Sequence, residues 1–115
     1  MSGLRPIALS FWRSSTANEP VRDFLGELEK ADRRKIGTDI RTVQYAWPVG
    51  MPLVRSLGGG LWELRTTLPS RREARVFFGV ETDEMFLLHA IVKKSQKTPD
   101  HELALAKRRL KDLKK

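Results

Sequence analysis

Five residues in the second half of the chain could together bind an anion and move a proton. They are Glu63, Arg65, Arg75, His89 and Lys93. A guanidinium group grips a phosphate through paired hydrogen bonds and a lysine ammonium attracts it as a point charge, while a carboxylate or an imidazole can take or give a proton. If the fold brings these side chains together, the sequence predicts a binding site for a polyanionic partner.

Three segments of alternating apolar and polar residues predict the strands that would position these side chains. Residues 61–68, 71–80 and 85–92 are joined by short turns, which indicates an antiparallel meander. Because successive side chains of a strand point to opposite faces, we expect one face to be apolar and to hold Trp62, Leu64, Thr66, Ala74, Val76, Phe78, Phe86, Leu88, Ala90 and Val92. The five candidate residues would then share the opposite, open face.

Two helical patterns precede these strands and would cover the apolar face. The first follows Pro20, and the second is a stripe with Asp32 as its expected N-cap. The apolar positions at helical spacing are Val21, Phe24, Leu25 and Leu28, then Ile36, Ile40, Val43 and Trp47. A short turn between the two helices predicts an αα-hairpin, which needs a sheet face on which to bury its stripes.

The ends of the chain complete the predicted fold. Residues 7–12 predict a strand, a C-terminal helix begins near Thr98 or Asp100, and residues 51–57 are a further candidate strand. A chain of this length fits one domain. We therefore predict a single α+β domain over residues 1–115, an antiparallel sheet packed against an N-terminal αα-hairpin, in the order β-α-α-β-β-β-α.

The charge of the chain indicates its kind of partner. Against 14 Asp and Glu there are 22 Lys and Arg, and the formal net charge of +8 favours a nucleic acid, an anionic membrane or an acidic protein. Residues 17–46 are neutral overall, whereas residues 47–115 hold fourteen basic and eight acidic side chains. Most of the excess therefore lies with the candidate residues.

Composition also excludes several classes of site. The absence of cysteine excludes disulfide scaffolds, thiol catalysis and cysteine-based metal sites, and the presence of only two histidines argues against a histidine-rich metal site. No apolar run approaches the ~20 residues of a membrane span, and the N-terminus has no signal-type apolar core. The sequence predicts a cytoplasmic protein that needs no metal or cofactor and no membrane.

A solvated sheet face is the alternative interpretation of the candidate residues. Polar side chains are normal on the open face of an antiparallel sheet. Glu63 beside Arg65 or opposite Arg75 would then form a cross-strand ion pair worth about a few tenths of a kcal/mol, and His89 would be structural. The residue types alone favour this interpretation over an active site.

Four blocks of the sequence resemble the HigB branch of RelE-type toxins. They are NEPVRDFL at 18–25, PLVRSLGGGLWELR at 52–65, RVFF at 75–78 and LLHAIVKKSQKTP at 87–99. The L-W-E-L-R block and the H-x-x-x-K-K-x-Q-K-T-P block are the most specific. Members of that branch commonly have Thr where this chain has Ser95, which is a mild departure.

The resemblance implies a compact RelE-like fold and a toxin of a type II toxin–antitoxin system. Such a toxin is an endoribonuclease, or mRNA interferase, that cleaves messenger RNA, often in the ribosomal decoding site, and a cognate antitoxin silences it. DNA would be contacted only through the antitoxin complex. Cleavage without a metal can use the 2′-hydroxyl of the RNA itself as nucleophile.

The resemblance also suggests roles for the candidate residues. Arg65 and Arg75 would grip the scissile phosphate, and Glu63 and His89 are candidates for general base or acid, with Glu63 alternatively orienting Arg65. Lys93 would neutralise a flanking phosphate or carry a proton. The RNA-binding candidates are Arg71, Arg72, Lys94, Gln96 and Lys97. A non-catalytic RNA- or protein-binding module of the same fold is the alternative function, because a fold does not determine an activity.

Overall fold

The computed structural model describes residues 5–94 and 97–114, and it contains a five-stranded sheet with helices on both faces. In chain order the elements are β1 (Ala8–Phe11), α1 (Pro20–Gly26), α2 (Lys30–Ala46), β2 (Val54–Gly58), β3 (Leu61–Thr67), β4 (Glu73–Glu81), β5 (Glu84–Lys93) and α3 (Asp100–Leu113). The predicted α+β class, with an N-terminal αα-hairpin and a C-terminal helix, is confirmed. No helix in these two ranges is long and apolar enough to cross a membrane.

The strands lie in the order β1-β5-β4-β3-β2. The predicted meander is confirmed, since β3, β4 and β5 pair antiparallel. The candidate strand at residues 51–57, which the predicted order omitted, is the edge strand β2 and pairs with β3, placing Arg55 opposite Glu63. At the other edge β1 runs parallel to β5, with Ala8 opposite Glu84, so the sheet is mixed and not antiparallel throughout as predicted.

The αα-hairpin buries its stripes on the first face of the sheet, as predicted. Ile36 and Val43 are completely buried there, and Ile40 is nearly so. Trp47 packs edge-on against Trp62, with ring centroids 5.0 Å apart. Aromatic pairs in this geometry contribute about 0.5–1.5 kcal/mol beyond the area that they bury, so they help to fix the C-terminal end of α2 on the sheet.

The register between β4 and β5 shifts by one residue, and this shift redistributes the side chains of β5. Phe77 pairs with His89, but the next residue, Phe78, pairs with Leu87, which makes Leu88 the extra residue of a β-bulge. Leu88 and His89 consequently both lie on the second face, where Leu88 packs with Phe77 and His89 stacks on the Phe77 ring.

The predicted face is therefore wrong for the part of β5 that precedes the bulge. Met85 and Leu87 belong to the core under the αα-hairpin, whereas Phe86 and Leu88, which we expected there, pack on the second face. Strict alternation holds only in an uninterrupted strand, and an inserted residue exchanges the faces on either side of it. Ala90, which follows the bulge, faces the first core as predicted.

Helix α3 covers part of the second face, which the sequence analysis left open. The buried cluster beneath it comprises Leu61, Phe77, Leu88, Ile91, Ala106 and Leu110. Several apolar side chains on this face need a cover, and the apolar stripe of α3 supplies it. The approach is close, because a Cβ atom on Gly79 would lie 2.7 Å from Leu110 Cδ1.

Asp32 anchors the turn between β3 and β4 rather than capping α2, which corrects the prediction. Helix α2 begins at Lys30, two residues earlier. The Asp32 carboxylate is 1% exposed and accepts hydrogen bonds from the Ser70 amide (3.1 Å), the Ser70 hydroxyl (2.7 Å) and Arg72 Nη2 (3.2 Å). The Ser70 hydroxyl above all, and then the Ser70 amide and the Arg72 guanidinium, lower the pKa of Asp32 from its usual 3.8, against the opposing effect of burial.

The packing of α3 on the sheet predicts an energetic coupling between Gly79 and Leu110. Gly79→Ala should destabilise the protein by about 1–3 kcal/mol, as overpacking does, and the cost should shrink by at least about 0.5 kcal/mol in a Leu110→Ala background. Urea denaturation of the double-mutant cycle measures both. Gly37→Ala is the matched control: nothing lies within 4 Å of its added Cβ inside α2, so a gain of up to about 1 kcal/mol is expected. An equal cost of Gly79→Ala in both backgrounds would contradict the contact.

The Asp32 anchor predicts a pH-dependent contribution to stability. Because the pKa of Asp32 is lower in the folded state, its stabilising effect is complete above the unfolded-state pKa and disappears as pH falls through the folded value. Thermal melting should therefore show Asp32→Asn several degrees below wild type at pH 7, with the gap closing at pH values below 3.8. Asp23→Asn, at an exposed acid of α1, is the control. A gap that persists unchanged at low pH would mean that the carboxylate charge plays no part.

Candidate nucleic-acid interface

The centre of the candidate site is a pair of arginines that share one buried carboxylate. Arg65 of β3 lies directly opposite Arg75 of β4. Glu63 lies two residues before Arg65 on the same face and is 5% exposed. Its Oε1 lies 3.9 Å from Arg65 Nε, and its Oε2 lies 3.9 Å from Arg75 Nε. Like charges directly opposite on a sheet repel, so the carboxylate between them offsets that repulsion.

Arg75 is the more rigid of the two arginines. It is 4% exposed, and its Nη1 donates to Glu73 Oε1 (3.2 Å) and to the Ala74 carbonyl (2.9 Å). The Thr67 hydroxyl donates to the other Glu73 oxygen at 2.8 Å. The Thr67 hydrogen bond, and to a lesser degree Arg75, lower the pKa of Glu73 despite its partial burial. Glu73 thus stays ionised at neutral pH and orients Arg75.

Arg65 is more exposed and keeps an unused donor. Its side chain is 32% exposed, and its Nη1 lies 3.8 Å from Met51 Sδ, a weak acceptor. Its Nε atom is buried and has no hydrogen-bond partner in the described part of the chain. A buried donor without an acceptor costs about 1–3 kcal/mol, and Glu63 Oε1, 3.9 Å away, is too distant for a hydrogen bond. A ligand can therefore reach the exposed part of the guanidinium group but not Nε.

Lys93 completes the cationic group from β5. It pairs across the sheet with Glu73. Burial, which disfavours the charged ammonium, lowers the pKa of Lys93 from its usual 10.5. The nearby Arg75 and Arg65 lower it further, against the opposing effect of Glu63 and Glu73. An ammonium with a lowered pKa gives up its proton more readily than an ordinary surface lysine.

Two clefts meet at Arg65, Arg75 and Lys93. One encloses about 380 Å³ and the other about 610 Å³. The smaller is further lined by Arg55, Leu57, Glu63, Lys97, Thr98 and Leu103, and the larger by Arg71, Arg72, Glu73 and Lys94. We call the two together the cationic cleft. Its volume and its several cations fit a strand of phosphates better than a single small anion.

His89 does not join this group. Its Nε2 lies 2.6 Å from Glu102 Oε1 on α3, and its ring stacks on Phe77 with centroids 6.0 Å apart. Phe77 occupies the position between Glu63 and His89 in the row across β3, β4 and β5. Arg109 of α3 donates to the Leu88 carbonyl at 2.8 Å beside it. These contacts tie α3 to the sheet, and a role of His89 in proton transfer stays a prediction.

The predicted RNA-binding residues mostly line the cationic cleft. Arg71 and Lys94 lie at its larger part, together with Arg72, whose guanidinium also binds Asp32. Lys97 lies at its smaller part. Gln96 falls outside the described residues, so its predicted role stays a prediction.

Sequence reasoning missed two residues of the site. Glu73 was not among the candidate residues, although its position two residues before Arg75 on the same strand was a usable signal. Arg55 comes from the edge strand that the predicted order omitted, and the register of β2 places it opposite Glu63. In the described ranges no group of three or more His, Asp or Glu side chains could hold a metal ion.

Most of the chain matches a known protein family. The family model "Phage derived protein Gp49-like (DUF891)" matches residues 23–111, which include every described residue of the cationic cleft. A search of curated proteins found no match. Since the family match covers most of the chain and the fold agrees with it, the chain belongs to the phage-derived Gp49-like family, a family of the RelE toxin type.

Proposed function

We propose that the chain is the toxin of a type II toxin–antitoxin system, of the HigB branch, and that it cleaves messenger RNA at the cationic cleft. The observation that carries the proposal is the cross-strand pair of Arg65 and Arg75 around the buried Glu63. The family supports a toxin, and the L-W-E-L-R block, which contains two of these three residues, supports the HigB branch.

The proposed reaction uses the RNA as its own nucleophile. The 2′-oxygen attacks the adjacent phosphorus, the bond from phosphorus to the 5′-oxygen breaks, and the products are a 2′,3′-cyclic phosphate and a free 5′-hydroxyl. One proton leaves the 2′-hydroxyl and one reaches the departing 5′-oxygen. Negative charge grows on the two non-bridging oxygens while phosphorus is bonded to both the attacking and the departing oxygen. The chain must hold the strand in line and stabilise that charge.

Each residue of the cationic cleft has its own role in this proposed reaction. Arg65 and Arg75 bind the non-bridging oxygens, Arg65 through the exposed part of its guanidinium group, since its side chain is 32% exposed. Glu63 orients both guanidinium groups, because its Oε1 lies beside Arg65 and its Oε2 beside Arg75. Lys93, whose lowered pKa eases proton release, donates to the departing oxygen. Glu63 and His89 remain the candidates for accepting the proton of the 2′-hydroxyl.

The partners follow from the surface around the site. The basic side chains along the cleft, Arg55, Arg71, Arg72, Lys94 and Lys97, would neutralise neighbouring phosphates of messenger RNA or ribosomal RNA. A small cleft reads little sequence by itself, so docking in the ribosome would select translated messages in the cytoplasm. A cognate antitoxin would silence the toxin and mediate any contact with DNA.

Arg65 gives the most direct test, because it is partly exposed and has few internal contacts. Induced wild-type chain should stop growth and produce discrete new 5′ ends on a translated message, as measured by primer extension. Arg65→Gln should reduce cleavage about 100- to 1,000-fold, the usual effect of losing one charge-stabilising donor. Its melting should stay cooperative, at a lower temperature than wild type, because Glu63 loses one of its two counter-charges and keeps Arg75. Arg34→Gln, on exposed α2 surface, is the control. Full cleavage by Arg65→Gln would refute the assignment, and growth arrest without new ends would favour the binding module.

Lys93 predicts a distinct pH dependence of RNA affinity. Because the pKa of Lys93 lies below 10.5, its ammonium loses its proton as pH rises towards that value. The wild-type protein should then lose one phosphate contact, and its affinity for RNA should fall about tenfold. A 2′-deoxy-substituted strand prevents cleavage during the titration. Lys93→Arg keeps its charge throughout, so its affinity should stay flat over the same range, whereas Lys94→Arg should follow wild type. The same pH profile in both variants would show that Lys93 does not contact the strand.

A further inference from the structure

A second groove lies beside the cationic cleft, between the turn from β2 to β3 and the C-terminal half of α3. It encloses about 650 Å³ and is lined by Leu57, Gly58, Gly59, Leu61, Lys107, Leu110, Lys111 and Lys114. We call it the α3 groove. Its floor is aliphatic, since Leu61 and Leu110 belong to the buried cluster under α3 and Leu57 packs against that cluster.

The turn keeps the groove open. Gly58 and Gly59 have φ angles of 88° and 63°, a conformation that residues with side chains adopt rarely. A Cβ atom on either glycine would meet nothing within 4 Å. The wall of the groove is therefore bare backbone, and the space above the leucines is not filled by the described residues.

Three lysines form the rim on one side. Lys107, Lys111 and Lys114 are spaced by four and three residues, which places them on one face of α3. In the described chain Lys107 and Lys111 have no carboxylate within ion-pair distance, and Lys114 lies 3.9 Å from Glu81, both half exposed. An aliphatic floor under a cationic rim is complementary to a segment that is apolar on one side and acidic on the other.

The chemistry of the floor argues against RNA as the occupant. Single-stranded nucleic acid gains much of its affinity from bases stacked on aromatic side chains. The α3 groove is lined by leucine, glycine and lysine alone. A protein helix with apolar residues at helical spacing can fill such a groove, as helix-in-groove partners do.

The α3 groove is also continuous with the proposed RNA site. Leu57 lines both the groove and the smaller part of the cationic cleft, where Arg55 and Lys97 lie. A segment bound in the α3 groove that continues beyond Leu57 would therefore reach the opening of the cationic cleft. Acidic residues at that end would meet the cations that RNA needs.

We propose that the α3 groove binds an acidic amphipathic segment of a partner protein, with its apolar side chains on Leu57, Leu61 and Leu110 and its carboxylates on Lys107, Lys111 and Lys114. The groove binds this segment independently of RNA cleavage, so the test measures the peptide directly. Loss of cleavage in an Arg65 variant leaves the peptide result unchanged.

The probe is a fluorescent synthetic peptide of about twelve residues, roughly 18 Å as a helix, with leucines at helical spacing and glutamates flanking them. A Lys107→Glu, Lys111→Glu double variant should weaken its binding about tenfold or more, as measured by anisotropy. The matched control, Lys30→Glu with Arg34→Glu on exposed α2 surface, makes the same charge change elsewhere and should bind as wild type. Higher salt should weaken binding.

A measurement on the wild-type chain locates the peptide without any mutation. The amide resonances of Gly58, Gly59 and residues 107–114 should shift on titration, and those around Asp32 should not. The proposal would be overturned if the test and control variants weakened peptide binding equally, or if the peptide shifted the amide resonances around Arg65 instead of those of the groove.

Two other occupants would also overturn it. One is a single-stranded RNA that shifts the groove amide resonances where the peptide does not. The other is a second copy of the chain, shown by a dimer in analytical ultracentrifugation that the Lys107→Glu, Lys111→Glu variant dissociates.

Discussion

The buried Glu63 carboxylate is the constraint on which the site depends. Arg65 and Arg75 lie opposite each other on neighbouring strands, where two positive charges would repel. Glu63 places one oxygen 3.9 Å from each of them and is itself withdrawn from water. Removing a partner from such a group leaves a buried charge uncompensated. The three residues therefore act as one unit, and the sheet must hold all three at this spacing.

The β-bulge in β5 determines how much of the sheet is available to that unit. By placing Leu88 and His89 on the same face, it adds apolar and aromatic surface next to Phe77, and α3 covers it. His89 then meets Glu102 of α3 rather than the arginines. One inserted residue thus divides the second face into a covered half and a cationic half.

Helix α3 borders both the covered half and the cationic half of the second face. Its apolar stripe closes the second core, and its lysine face borders the α3 groove. Leu57, in the edge strand β2, belongs to both the groove and the cationic cleft. A partner that contacts the lysines and the leucines together would lie beside the arginines, so the proposed protein site and the proposed phosphate site share one surface.

The sequence by itself determined the elements, because helical and alternating periods are local properties of the chain. The stripe from Ile36 to Trp47 and the meander of β3, β4 and β5 both formed as predicted. Alternation likewise placed Glu63, Arg65 and Arg75 on one face, since β3 and β4 pair without interruption.

Only the tertiary structure decided which side chains meet across elements. The register shift in β5, the edge pairing that brings Arg55 to Glu63 and the hydrogen bonds from Ser70 and Arg72 to Asp32 join residues that are distant in the chain. No local period encodes such pairings, because they depend on how the elements pack. The sequence therefore specified Arg65, Arg75 and Glu63 and the strands that carry them, while packing brought Arg55 opposite Glu63 and paired His89 with Glu102 of α3.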